Sequence, residues 1–233
     1  GRRRGIEYAS GLTAGGGTML LTGLESALKL RGDWDRTRFV CVLTDGLLGN
    51  EAEVLGQLRR QLGDSRIFSV GIGSAPNRTL LNAMARLGRG AAVYVATERD
   101  ADEVTNLFIE RVSSAAMTDL RIDWGDMEVT EVCPKRLPDL FVGRPVVVYG
   151  RCKGDARPGR VRVSGRVGRE RKSMEIACAE HRAEALALVW ARAKITELDE
   201  HAWGSRVGAG SMDGPNKEEV RELALRYGLM SAY

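Results

Sequence analysis

The sequence has few of the residues from which metal centres and hydrolytic sites are commonly built. It contains two histidines and four cysteines, and no C-x-x-C pair occurs among its 233 residues, so a zinc site is not expected. No G-x-S-x-G nucleophile elbow is present, which argues against a serine hydrolase. The G-x-G-x-x-G fingerprint and the G-K-[ST] ending of a phosphate loop are also missing, which disfavours nucleotide binding.

Long apolar runs and strong net charge are likewise absent. No apolar run reaches the roughly 18 residues of a membrane span, and no signal-peptide pattern occurs. Hydrophobic content of 43% and charged content of 28% are typical of one or two globular domains. The formal net charge of +4 is too small to predict a nucleic-acid partner, and none is expected.

The four cysteines are widely spaced and do not identify a redox compartment. Cys41 lies inside an apolar segment and is interpreted as a small core residue. Cys133, Cys152 and Cys178 lie in segments with strand-like alternation, and the sequence leaves open a disulfide between Cys133 and Cys152.

The first half of the chain alternates strand and helix patterns. Three apolar runs, "RFVCVLTDG", "RIFSVGIG" and "AAVYVAT", predict buried strands, and helical periodicity lies between and after them. A basic helix is predicted over 2–12 and an amphipathic one over 18–29. Asn50 and Asn77 are expected to cap the two helices between the strands. This alternation predicts an α/β fold with a doubly wound, mostly parallel sheet.

The pattern changes near residue 116. Short runs with period-two alternation, separated by glycine and proline, predict an antiparallel, sandwich-like β-unit over 116–180. Residues 182–198 are apolar nearly all round at "ALALVWA" and are predicted to form a buried helix. A last helix, capped by Asn216 and Glu219, is expected over 217–227. We therefore expect three parts: residues 1–115, the β-unit at 116–180, and a helical tail at 181–233 packing on that unit.

Asp45 is the residue that an ordinary core strand does not explain. It follows the apolar run 40–43, where a buried and unpaired carboxylate would cost several kcal/mol. In an open parallel sheet, ligands bind outside the carboxyl ends of the strands, and the glycine-rich turn before Thr18 is expected at the same edge. A carboxylate and a hydroxyl on separate loops suit Mg²⁺. The alternative is that Asp45 caps a turn or helix.

Longer stretches favour the ligand interpretation. The strings "AGGGTMLLTGLESAL", "VCVLTDGLLGNE" and "FSVGIGSAPNRTLLNAMARLGRGAAVYV" resemble, in order and spacing, the later two thirds of a von Willebrand factor type A domain. Further on, "DLFVGRPVVVYGR", "LVWARAKITEL" and "LALRYGLMSAY" resemble the region after the A domain in inter-alpha-trypsin inhibitor heavy chains and their bacterial relatives, which carry a VIT domain before it.

The resemblance implies a function and a metal site. The family's metal-ion-dependent adhesion site takes a threonine after paired glycines and an aspartate in a "TDG"-like turn, which match Thr18 and Asp45. Its first loop, D-x-S-x-S, occurs nowhere in the chain, so we expect a fragment that lacks the first strand and that loop. A non-enzymatic adhesion module is implied, in which Mg²⁺ holds an acidic side chain of a protein partner. The family also implies a place outside the cytoplasm: secreted, periplasmic or at the cell surface.

The strand "GRVRVSGRVGRERK" suggests a second binding surface. Val161, Val163 and Val167 are expected to face inward, and the alternate arginines outward. These arginines are Arg160, Arg162 and Arg166. Such a face is commonly only solvated, but it also suits an anionic polysaccharide or another polyanion.

Three functions therefore remain open from the sequence. The first is the metal-dependent binding module. The second is a metal-independent structural or scaffold domain of a secreted or surface protein, and the third is a nucleotide-dependent enzyme on the same α/β layout. His181 and His201, which flank the predicted buried helix, are interpreted as surface or capping residues and not as ligands.

Overall fold

The structure, a computed structural model, describes residues 2–13, 19–30, 37–45, 50–96, 115–143, 145–154, 159–181, 185–205 and 216–230. It also describes residues 102, 105, 106, 108, 109 and 183. The glycine-rich turn and Thr18 lie outside the described residues. No helix within these ranges is long and apolar enough to cross a membrane.

The first half forms a three-stranded parallel sheet. Its strands are β1 (Phe39–Thr44), β2 (Arg66–Ile72) and β3 (Ala92–Val95), in the order β1-β2-β3. The helices are α1 (Arg2–Ser10), α2 (Leu20–Lys29), α3 (Glu51–Gln61) and α4 (Arg78–Leu87). Because β1, α3, β2, α4 and β3 follow one another, each parallel pair is joined by a helical crossover, as the sequence predicts.

One face of this sheet is covered by helices. Val40 and Val42 of β1 and Ile67 of β2 pack against α2, α3 and α4 in a single apolar cluster. The helices contribute mainly leucines: Leu24, Leu28, Val54, Leu55, Leu58, Leu80 and Met84. Asn77 caps α4 as predicted, since its Oδ1 accepts a 3.0 Å hydrogen bond from the amide of Leu80.

Strand β1 is less buried than its apolar sequence predicts. Its residues alternate between exposed and buried, with Leu43 62% exposed and Cys41 also exposed. The interpretation of Cys41 as a core residue is therefore wrong. β1 is the last strand at one side of the sheet, so among the described residues only its helix-facing side is covered.

The opposite face of the sheet is covered by the second half of the chain. Phe68 of β2 is 1% exposed and lies 5.7 Å, ring to ring, from Phe141 and 5.5 Å from Phe108. Because the β-unit packs on this face, the two halves share apolar contacts.

All strand pairs in the second half are antiparallel, as predicted. The strands are β4 (Ala115–Asp123), β5 (Val129–Cys133), β6 (Leu140–Phe141), β7 (Tyr149–Cys152), β8 (Arg160–Val167) and β9 (Glu170–Ala177). They form one sheet of order β6-β4-β8-β9 and a separate pair, β5-β7. Val161 is buried and Val163 half-buried, but Val167 is 42% exposed, so its predicted inward position is wrong. It lies at the end of β8, beside the β8–β9 turn.

Helix α5 (Ala185–Ser205) is longer than predicted, and its beginning is not buried. Leu186, Leu188 and Val189 are between 41% and 53% exposed, whereas Trp190 is 5% exposed. The helix packs against α3 and β5, and its buried residues begin at Trp190. The apolar sequence therefore wrongly predicts burial for the first turn and a half of α5.

Helix α6 (Lys217–Tyr227) packs its predicted stripe against α5, with Val220 and Ala224 buried. The expected side-chain cap is not formed: the Asn216 amide donates to the carbonyl of Leu198 on α5 at 3.3 Å, and Glu219 lies 3.6 Å from the Lys194 ammonium. Asn216 and Glu219 therefore contact residues of α5 in place of the predicted capping interaction.

The cap expected before α3 is also absent. Asn50 precedes the helix, but its side chain makes no cap hydrogen bond, and its backbone, at φ −126° and ψ 36°, lies outside the extended region that favours capping.

The open disulfide alternative is excluded by the strand register. Cys133 lies opposite Tyr149, while Cys152 lies opposite Val129 at the other end of the β5–β7 pair. All four cysteines are free thiols. Cys133 is buried and its thiol donates to Oε2 of Glu197 at 3.2 Å.

Candidate functional site

Asp45 lies at the carboxyl end of β1, directly after Thr44. Residues 40, 42 and 44 face the core, so Asp45 falls on the opposite, uncovered side and is exposed. Its carboxylate has no hydrogen bond or ion pair with any described residue. The end of β2, at Gly73 and Ser74, is exposed at the same edge. Exposure explains how the strand tolerates this carboxylate. The turn at 46–49 that Asp45 would cap in the alternative interpretation lies outside the described residues.

The described residues at this edge include one side chain of the type that binds Mg²⁺. Asp45 offers an accessible carboxylate, a ligand type that this ion prefers. Within the described part of the chain, however, no group of three or more His, Cys, Asp or Glu side chains is placed to hold a metal ion. Asp45 thus fits a metal site as a single ligand, and the position of Thr18 relative to it lies outside the described residues.

The structure divides the predicted basic strand into two parts. Arg160 and Arg162 each donate a 3.1 Å hydrogen bond to the carboxylate of Glu175 on β9. These two hydrogen bonds lower the pKa of Glu175, which keeps it ionised and neutralises much of their charge. Arg166 is exposed and has no such partner among the described residues. The three arginines share a face but differ in the charge they leave available.

A buried charge cluster that the sequence analysis missed joins the two halves. Arg66 of β2 forks onto Asp139 through Nε and Nη2, and its Nη2 also lies 3.1 Å from Asp119 of β4. The side chains of Arg66 and Asp139 are 2% and 1% exposed. An arginine inside the buried segment "RIFSVGI" was the available signal, since a buried guanidinium requires an acidic partner.

Arg89 extends this cluster. It adopts a left-handed backbone, φ 55°, and its Nη1 donates to Asp119 at 2.8 Å. Burial alone would raise the pKa of Asp119, but the hydrogen bonds and charges of Arg89 and Arg66 outweigh it and lower that pKa. The cluster is structural in character, because its members hold β2 to β4.

Both histidines are exposed, in line with the sequence interpretation. The ring Nδ1 of His201 lies 2.8 Å from the carbonyl oxygen of Glu197, one turn earlier on α5. Neither histidine belongs to a group of three or more metal-ligating side chains within the described residues.

Comparison with known families gives a match in the first half. Residues 6–94 match the model of the von Willebrand factor type A domain. The A-domain likeness is thereby supported for this part of the chain. The match includes α2 to α4, β1, β2 and most of β3, and Asp45 with them.

Curated relatives point to the same domain. The chain is 23% identical over 201 residues to the von Willebrand factor A domain-containing protein DDB_G0286969 of Dictyostelium discoideum, covering 84% of this chain and 10% of that protein. It is 24% identical over 230 residues to DDB_G0285975 of the same organism, covering 94% and 24% respectively. The chain thus spans a quarter or less of the length of these relatives.

A solved structure supports the fold. The von Willebrand factor type A protein from Catenulispora acidiphila superposes with a TM-score of 0.52 at 14% identity, over 96% of this chain and 66% of that one. The fold class is therefore confirmed: a parallel α/β sheet followed by antiparallel strands and helices. Because the superposition extends beyond residue 94, the likeness includes the second half.

Proposed function

We propose that this chain is part of a non-enzymatic protein-interaction module in which Asp45 contributes to a metal-dependent adhesion site. The observation that carries the proposal is the place of Asp45: an exposed carboxylate, without a partner among the described residues, at the carboxyl end of a parallel strand. This is the edge at which open α/β sheets bind ligands. The match of residues 6–94 to the A domain supports the same assignment.

In this proposal Asp45 and Thr18 are two of the ligands of Mg²⁺. The bound ion would supply a positive charge with an open coordination position for an acidic side chain of a partner protein. Asp45 would bind the ion directly or through a water molecule. The remaining ligands would come from a D-x-S-x-S loop, which the 233 residues do not contain.

A metal-independent structural or scaffold role is the second candidate. The closed pairing of charges between the two halves, through Arg66, Asp119 and Asp139, favours a rigid platform that needs no metal to hold its shape. It would be the better description if Asp45 could be removed without loss of partner binding.

The resemblance to inter-alpha-trypsin inhibitor heavy chains and VIT-domain proteins is retained as part of the proposal. It rests on the segments after residue 116 and supports a secreted, periplasmic or cell-surface location. It also leaves room for an anionic polysaccharide as an additional partner, at the arginine-rich strand β8.

Calorimetric titration with Mg²⁺ tests the metal site. This chain is expected to bind Mg²⁺ weakly or not at all, because Thr18 and Asp45 are only two ligands and the ion gives up its water ligands reluctantly. A version carrying an upstream D-x-S-x-S loop should bind it one to one. Asp45→Ala should abolish that binding, and Asp123→Ala, which removes an exposed carboxylate from β4, should not. Tight binding by the present chain, lost in Asp45→Ala, would falsify the requirement for the loop. No binding by the longer version would favour the scaffold.

A further inference from the structure

The β8–β9 hairpin concentrates the positive charge of the protein. Residues 160–177 contain six basic side chains and two acidic ones, a net charge of +4 that equals the formal charge of the whole chain. Strand alternation places Arg160, Arg162 and Arg166 on one face of the hairpin, and the register adds Arg171, which lies opposite Arg166 on β9. Arg121 of β4, opposite Ser164, belongs to the same face.

The charges on this face are neutralised only at one end. Glu175 binds Arg160 and Arg162, and Asp123 lies opposite Arg162 on β4. At the other end Arg121, Arg166 and Arg171 are exposed, and none of them has a hydrogen bond or ion pair with a described residue.

A β-bulge keeps an acidic side chain away from this end. The register Arg121↔Ser164 would place Asp119 opposite Arg166 if the pairing ran on regularly, but the observed pair is Thr118↔Arg166. Asp119 adopts φ 54° and binds Arg66 and Arg89 in the buried cluster instead. Bulges re-aim side chains in this way. The carboxylate that regular pairing would offer to Arg166 is therefore used elsewhere.

Arg166 and Arg171 are directly opposed without a counter-charge between them. Like charges at directly opposite positions destabilise a sheet, and their Cβ atoms are about 5 Å apart in such a pair. Diagonal neighbours on paired strands lie about 7–8 Å apart, and Arg121, opposite Ser164, is such a neighbour of Arg166. An anion bound over the three guanidinium groups would remove the repulsion and accept several charge-assisted hydrogen bonds.

We propose that Arg121, Arg166 and Arg171 form an anion-binding face for a sulfated linear polysaccharide. The inference rests on the proposed polyanion partner, but it moves the binding residues away from Arg160 and Arg162. A peptide strand added to the free edge of β9 would lie beside Arg171 only, because Arg166 and Arg121 are on β8 and β4, further into the sheet. The face has no aromatic side chain among its described residues, so it offers no platform for stacking nucleic-acid bases.

Titration of the chain with heparin, at several salt concentrations between about 50 and 200 mM, tests the face. Arg166→Ser/Arg171→Ser is expected to weaken binding about tenfold, the loss of two charge-assisted contacts. Arg3→Ser/Arg4→Ser removes the same two charges from α1 and is expected to change it less than twofold. Arg160→Ser/Arg162→Ser/Glu175→Ser deletes the neutralised end and is also expected to change it little.

The outcomes separate this inference from the broader proposal. If heparin binds and only the Arg160/Arg162/Glu175 variant weakens the binding, the assignment to Arg166 and Arg171 is wrong. Binding then belongs to the Arg160 and Arg162 end of the strand. If the wild-type chain does not bind heparin, the polyanion partner itself is wrong. Equal binding of a single-stranded oligonucleotide, lost in Arg166→Ser/Arg171→Ser, would replace the polysaccharide with nucleic acid.

Discussion

Arg66 and Asp139, 73 residues apart in the chain, form a forked ion pair with almost no exposure to solvent. Arg66 begins β2 of the parallel sheet, and Asp139 precedes β6 of the antiparallel one. Asp139 also accepts a 3.1 Å hydrogen bond from the amide of Asp119. The pair joins the region that matches the A domain to the β-unit, with Asp119 and Arg89 as further members.

Breaking this pair should destabilise the whole chain. Arg66→Met is expected to lower the free energy of unfolding by about 3–5 kcal/mol, because it leaves the Asp139 carboxylate buried without a cation. The double variant Arg66→Met/Asp139→Asn should be more stable than Arg66→Met alone, since asparagine is neutral and still accepts from the Asp119 amide. Denaturant titration measures both. A double variant no better than the single one would show that the buried charge is not the source of the loss.

The stability of the protein should depend on the ionisation of Asp119. Its pKa is lowered in the folded state, below the ordinary value of 3.8, so its contribution is present above pH 3.8 and is lost as the pH falls through the lower, folded-state pKa. Asp119→Asn keeps a residue that tolerates the left-handed backbone and should flatten the stability profile in this acidic range. Thermal melting between about pH 2.5 and 6 measures it. Parallel profiles of the two proteins would contradict the assignment.

The cysteines should differ sharply in reactivity. Burial and then the hydrogen bond to Glu197 raise the pKa of the Cys133 thiol to about 12, and the thiolate is the reactive form. Native protein treated with iodoacetamide near pH 8 should therefore be modified at exposed Cys152 and not at Cys133. Mass spectrometry of peptides from native and denatured samples distinguishes the sites. Rapid modification of native Cys133 would contradict its buried position.

The two parts of α5 should respond differently to substitution. Val189→Asp should change stability by no more than about 1 kcal/mol, because Val189 is 41% exposed. Trp190→Ala should cost about 3–5 kcal/mol, since the ring packs edge-on to Tyr227 and its Nε1 donates to the carbonyl of Glu131 at 3.1 Å. Thermal melting compares the neighbours directly. A large loss of stability in Val189→Asp would show that the start of α5 is buried, as the sequence predicts.

Gly90 should tolerate no side chain. A Cβ there would lie 1.9 Å from the carbonyl oxygen of Ile67, a backbone atom in β2, so Gly90→Ala must shift the strand and should cost about 1–3 kcal/mol or more. Gly5, in α1, has nothing within 4 Å of such a Cβ, and Gly5→Ala should be neutral or stabilising by up to about 1 kcal/mol. Equal melting temperatures for the two variants would exclude the close contact.

The order and type of the elements could be predicted from the sequence, because they depend on local periodicity. The alternation of "RFVCVLTDG" and "RIFSVGIG" with helical patterns predicts parallel strands, and the period-two runs after 116 predict antiparallel ones. Asn77 capped α4 through a contact within one helical turn. The division into 1–115, 116–180 and 181–233 remains a prediction, since the contacts of Arg66 and Phe68 cross it. The candidate residue Asp45 was also predicted locally, from a carboxylate after an apolar run, and its role stays a prediction.

Where distant segments meet was decided by the tertiary structure alone. The sequence contained Arg66, Asp119 and Asp139, but nothing local relates them, and their pairing appears only when β2 faces the β-unit. The same holds for α5, whose first apolar residues are exposed although the sequence predicts burial. Whether the charge of Arg166 is neutralised likewise depends on a one-residue bulge, because the bulge places Asp119 beside Arg89 and not opposite Arg166. Periodicity reports which face of an element is apolar, whereas neutralisation and burial depend on which partner the chain brings to that face.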